Sequence, residues 1–270
     1  MRIERAPGGA WAARRPDEMV DRSREFAARA ADDWGDVAML CLQRLVEFAS
    51  GGPSSVSAGE AYALVHLCAE KGEKGAYPVI CRLIGEDREI SEWLEDAVTE
   101  TLPGVLIRLY DGDAGPLRQA VEAQDGDEFA RASALAALGY LVRAEGAMSD
   151  EDMRAYLRRI RSEIAPRRES VLWMNWAATV ASLGYADMRA DVSELRRSGF
   201  VPDGDFSNNE FDLRVSLAQS DPSGLAGFAH DLIEPFEDAT FALRRFAGVA
   251  SASAGQSLRS VALDMKGCDA

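Results

Sequence analysis

Four acidic residues stand out for what their spacing would allow. Glu89, Glu92, Asp96 and Glu100 fall at offsets 0, 3, 7 and 11, which on an α-helix is a single face. Glu95 lies beside them, and Ile90, Trp93, Leu94, Ala97 and Val98 form the opposite, apolar face. Carboxylates repeated at i, i+4 repel by roughly a few tenths of a kcal/mol per pair, and no Lys or Arg between residues 89 and 100 relieves them. Such a stripe can stay solvated and keep the chain dispersed. It can meet a basic partner, or it can hold a divalent metal or do acid/base chemistry. Asp111-Gly112-Asp113 adds two carboxylates a little further on, so Glu89, Glu92, Asp96, Glu100, Asp111 and Asp113 make up the candidate interaction surface.

A calcium loop fails on its own arithmetic. With Asp111 at position 1, Glu122 falls at position 12, but position 5 is Gly115 with no side-chain oxygen and position 6 is Pro116 where a sharp turn needs Gly. Asp203-x-Asp205 fails at Arg214. Both read as helix-capping loops, with Asp113 the expected N-cap of the helix holding Leu117 and Val121. The two histidines are His66, on an apolar helix face and so expected to be structural, and His230, next to Asp231 but tied to no nucleophile. There is no G-x-S-x-G, phosphate loop or dinucleotide fingerprint. No catalytic residue, metal ligand or cofactor is assigned.

The four cysteines have no C-x-x-C spacing, and Cys41, Cys68 and Cys81 lie in apolar stretches, which predicts buried thiols in a reducing cytoplasm. No run approaches the apolar length of a membrane span, and residues 1–15 lack the apolar core of a secretory signal. The net charge is -15, and residues 31–130 alone hold 7 basic and 20 acidic residues. That balance argues against nucleic acid and anionic membrane as partners.

The elements that must position these groups are helices. Met153, Tyr156, Leu157, Ile160 and Ile164 repeat the one-face spacing, and nothing alternates like a strand. Ser57-x-x-Glu60, Ser149-x-x-Asp152 and Ser207-x-x-Glu210 read as capping boxes or their Asp variant. Breaks fall at Gly51-Gly52-Pro53, Gly72 to Gly75, Asp111 to Asp113, Asp125-Gly126, Pro166 and Pro202 to Gly204. Arg158, Arg159 and Arg161 near the end of one helix read as a solvated face, and Trp173-x-x-Trp176 as core. Leu67, Leu109, Leu138 and Leu183, spaced by 42, 29 and 45 residues, suggest a degenerate array of HEAT-like pairs.

Residues from about 61 to 240 resemble the bacterial domain-of-unknown-function 1186 family. The pieces are Ala61-Tyr62-x-Leu64 with Lys74-x-Ala76-Tyr77-Pro78, then Asp96-x-x-Thr99-Glu100, then Tyr110-Asp111-Gly112-Asp113. Arg131-x-x-Ala134-Leu135-x-x-Leu138 follows, and Pro235-Phe236-Glu237-Asp238 comes last. The resemblance implies an α-helical HEAT-like fold and no established activity. Some relatives carry a C-terminal cysteine-rich zinc motif; only Cys268 lies near this end, so no metal is implied.

The expected protein is therefore all-α, a HEAT-like helical-repeat solenoid of antiparallel helix pairs. Residues 1–16 form a tail, 17–225 the repeat domain and 226–270 a helical extension. The expected role is a cytoplasmic scaffold or adaptor binding a basic protein partner, with no nucleic acid and no membrane; a homodimer stays open. The alternative is a metal-assisted or carboxylate-based hydrolase using the Asp/Glu cluster.

Overall fold

A computed structural model of the chain describes residues 34–201, 204, 206–239, 242 and 243. Contacts divide the chain into residues 33–239 and a second unit of residues 1–32 and 240–270. The expected tail and the end of the expected extension, Cys268 included, lie outside the described residues, while residues 226–239 belong to the first unit.

All thirteen α-helices delimited among the described residues belong to that first unit, and none of those residues forms a strand. They are α1 (Trp34–Gly51), α2 (Ala58–Lys71), α3 (Tyr77–Glu86), α4 (Ile90–Leu94), α5 (Ala97–Glu100), α6 (Leu102–Leu109) and α7 (Gly115–Glu122). Then come α8 (Glu128–Ala144), α9 (Asp150–Glu163), α10 (Val171–Ser182), α11 (Arg189–Arg197), α12 (Asn208–Ser220) and α13 (Ala226–Ala229).

The boundaries follow from local chemistry. The hydroxyls of Ser57, Ser149 and Ser207 accept the backbone N–H of Glu60, Asp152 and Glu210 at 3.2, 3.1 and 3.1 Å, so all three expected caps form. Pro78, Pro103 and Pro116 occupy the first two positions of their helices, where the missing N–H is harmless. Gly72, at φ +64°, closes α2 in the left-handed conformation. The cap of α7 differs slightly from expectation. Ala114 holds the N-cap place, while the Asp113 carboxylate accepts the Gly115 N–H at 2.8 Å.

Packing centres on α8, of whose 17 residues 12 are buried, most of them Ala, Gly or Ser. Small side chains let α6, α7 and α10 all close on it. The same contacts continue as a row, α2 on α6, α6 on α8, α8 on α10 and α10 on α12, with α3 on α7 alongside. Trp173 and Trp176 are fully buried in α10, as expected, their indole N–H groups donating to the carbonyls of Pro166 and Leu157.

The chain then reverses. Ser182 donates to the carbonyl of Gly227 at 3.1 Å, and the Phe228 ring packs edge-on against Tyr140. From Ile233 the backbone is irregular and runs back along the row. The Phe236 N–H donates to the Gly104 carbonyl on α6, its ring meets His66 on α2, and the Ala239 N–H donates to the Glu70 carboxylate at 3.1 Å.

Candidate functional site

Two of the sequence pieces noted above meet at one corner. Lys74 extends its ammonium to the carbonyls of Arg108 and Tyr110, at 2.8 and 2.7 Å, neutralising the open C-terminal end of α6. Tyr77, three residues on, donates its hydroxyl to the Asp113 carbonyl at 3.0 Å, and its ring meets Tyr110 edge-on. Between those anchors the loop folds on itself, with Asp111 accepting the Asp113 N–H at 2.9 Å. Gly112 takes φ +104°, which only glycine adopts without strain. Asp111 and Asp113 are thus exposed but held. Burial, joined by the charges of Cys81, Asp111 and Tyr110, pushes the Tyr77 phenol well above its usual range, so it stays a hydrogen-bond donor.

The other four acids are arranged otherwise than expected. The single helix predicted for residues 89–100 is broken at Glu95, which takes φ +51°, ψ -132° between α4 and α5. Glu89 precedes α4, Glu92 lies on it, Asp96 is the N-cap of α5 and Glu100 ends it. Each half is tied separately. Asp87 accepts the Glu89 N–H and the Trp93 indole N–H at 2.9 Å each, and Ser133 of α8 donates to the Val98 carbonyl at 2.6 Å. The break keeps Ile90, Trp93, Leu94, Ala97 and Val98 all buried while the chain turns. Glu89, Glu92, Asp96 and Glu100 remain exposed. Burial and the neighbouring Asp96 raise the Glu95 carboxyl above the usual range.

Asp111 and Asp113 follow the far end of α6, and Glu100 precedes its start. Eight helical residues separate the two groups, a rise of about 12 Å. They are two acidic patches at the ends of one helix. Among the described residues no group of three His, Cys, Asp or Glu side chains comes together to hold a metal ion.

His66 is structural, as expected. It is fully buried, with Nδ1 at 2.8 Å from the Tyr62 carbonyl and Nε2 at 2.8 Å from the Thr101 hydroxyl. Desolvation lowers its pKa to about 4. His230 lies 3.3 Å from Asp231, but Asp231 also receives the Arg214 guanidinium. Cys41, Cys68 and Cys81 are free and buried, and desolvation raises all three thiols. Arg158 is exposed and Arg159 and Arg161 half-buried, a surface row whose charges are paired: Arg158 and Arg161 with Asp187, Asp191 and Glu194 beside and on α11 at 3.0–3.5 Å, and Arg159 with Glu122 and Glu163.

Sequence reasoning passed over a second cluster. Arg131 is 1% exposed inside α8, and Tyr156, taken as core, is 4% exposed on α9. The guanidinium carbons of Arg118 and Arg159 lie 5.2 and 5.4 Å from the centroid of the Tyr156 ring. Burial pushes the Tyr156 phenol up, Glu122 adds to the rise, and Arg118, Arg159 and Arg131 oppose it. The available signal was a lone cation in the small and apolar run from Ala130 to Leu138.

The family described as Protein of unknown function (DUF1186) matches residues 56–221. No curated protein matches the chain, and no solved structure matches it either. The matched stretch contains both acidic patches, the Lys74–Tyr77 corner and the arginine–tyrosine cluster.

Proposed function

The chain belongs to the family Protein of unknown function (DUF1186), and from that premise we propose a helical-repeat interaction protein. In this reading it is a HEAT-like solenoid of antiparallel pairs that offers acidic surface to a basic protein partner. The row from α2 through α6, α8 and α10 to α12 supports the architecture, because repeat arrays are built from nearest-neighbour contacts of this kind. The free buried thiols fit a reducing compartment, the cytoplasm.

One observation carries the binding role. The Lys74–Tyr77 corner fixes an exposed Asp-Gly-Asp loop at three backbone carbonyls. An acidic loop fixed in advance loses little conformational freedom when a partner's Lys or Arg arrives. Glu89, Glu92, Asp96 and Glu100 extend the negative field from the other end of α6.

Capture from a lysate tests this, comparing wild type with Asp111→Asn/Asp113→Asn, with Glu92→Gln/Asp96→Gln/Glu100→Gln, and with Lys74→Met. The expected result is a partner released by the two charge-neutralised variants and by salt. Lys74→Met is the sharper arm: it makes the surface more negative, so charge alone predicts tighter binding, whereas a loosened loop predicts weaker binding. Identical partner lists for all four proteins would overturn the proposal.

A further inference from the structure

Three buried polar atoms at the junction of α7, α8 and α9 have no hydrogen-bond partner: Nε of Arg118, one terminal nitrogen of Arg131 and the hydroxyl of Tyr156. Native interiors rarely leave such groups unpaired. Arg131 is the sharpest case. Its Nε donates to the Val121 carbonyl at 3.0 Å, but no carboxylate among the described residues pairs with its fully buried guanidinium. Burial disfavours its charge, which Glu128 and Asp127 offset only from a distance.

The surroundings are those of a receiving site. Arg118 and Tyr156 line an open hollow of about 390 Å³ with Ala147, Met148, Asp152 and Arg159, and Arg118 also borders a second open hollow of about 410 Å³ beside Gln119 and Glu122; Arg131 lies behind them and borders neither. The nearby acids keep their charge but already hold other groups, and Glu128 and Asp127 act on Arg131 from beyond ion-pair distance. Glu122 holds Arg159 through two bonds at 2.6 and 3.1 Å, and Asp152 accepts the Ser149 hydroxyl at 2.6 Å. Arg118 has no ion-pair partner among the described residues. All three orphaned groups can donate, and two carry charge. Arg118 is half-buried at the rim and Arg131 fully buried behind it.

We propose that the hollow lined by Arg118, Tyr156 and Arg159, with Arg131 buried behind it, binds a small oxyanion, a phosphate or sulfate group, free or esterified to a small molecule. Guanidinium donors match tetrahedral oxyanions in geometry as well as charge. The site lies apart from the acidic surfaces and does not depend on the interaction role above.

Isothermal titration of the full chain with sodium phosphate and sodium sulfate, against sodium chloride at matched ionic strength, tests it. Wild type should bind one of the two saturably, at one ion per chain. Arg118→Gln should weaken that binding by about tenfold, the value of one charge-assisted hydrogen bond. Tyr156→Phe, which keeps the ring on which the guanidiniums stack, should weaken it too. These variants keep the test independent of whether Arg131→Gln folds. A glycerol phosphate arm separates the sources: tighter binding than inorganic phosphate points to an esterified ligand, equal binding to the free ion. Heats indistinguishable from chloride, or binding unchanged in either variant, would overturn the proposal.

Discussion

His66 joins three distant stretches of chain, taking the Tyr62 carbonyl, the Thr101 hydroxyl and the Phe236 ring as neighbours. Its folded-state pKa of about 4 lies below the unfolded value of 6.5, so it is stored neutral. The unfolded chain therefore binds the extra proton first. Stability is complete above pH 6.5 and is lost as pH falls towards 4. Urea unfolding should show about 2 kcal/mol lost between pH 7 and pH 5 from this residue, and His66→Gln should flatten that slope. An unchanged slope in the variant would assign the acid sensitivity elsewhere. The structural role of His66 was legible from its apolar face, because periodicity reports burial. Its partners were not, because periodicity says nothing about which face 35 or 170 residues away will meet it. Arg131 was legible only as an anomaly, one cation among small residues.

At the scale of elements, three serine caps and the breaks at Gly51 to Pro53, Gly72 to Gly75, Asp111 to Asp113, Asp125-Gly126 and Pro166 could be read directly, since capping and left-handed turns are local chemistry; the left-handed turns at Gly146, Gly184, Gly199 and Gly224 were not named. The break at Glu95 could not. No glycine marks it, and the acidic and apolar spacings both suit a continuous helix. It exists because Asp87 holds one half and Ser133 the other. Glu95 sits at φ +51°, ψ -132°, a region that favours glycine. Glu95→Gly should therefore raise unfolding free energy by about 1 kcal/mol, measured by urea titration. A loss of stability would show that the glutamate side chain contributes more than its backbone strain removes. The same break explains why the six acids form two patches rather than one stripe.

For the whole molecule, the net charge of -15 is a distribution as much as a total. Residues 31–130 carry most of it, whereas the later helices balance their charges pair by pair, as Arg154, Arg158 and Arg161 do with Asp187, Asp191 and Glu194. The return of residues 230–239 along the helix row depends on close approach. A Cβ on Gly104 would lie 2.6 Å from the Glu234 carbonyl oxygen, a backbone atom that cannot swing aside. Gly104→Ala should cost about 1–3 kcal/mol. Gly85→Ala, whose Cβ would meet nothing nearer than 3.6 Å, should be neutral or add up to about 1 kcal/mol. Equal effects at the two glycines would mean that the returning segment sits loosely.

That segment also sets how the molecule comes apart. A row of helices that touched only their neighbours could fray from either end, one unit at a time. Here the Ala239 N–H is bonded to Glu70, 169 residues earlier, so the two ends are latched together. The latch can close only after the intervening helices have stacked, which makes it a late, long-range event in folding. Once closed it ties α2 to the returning segment, so fraying of either must first break a contact made across the whole row.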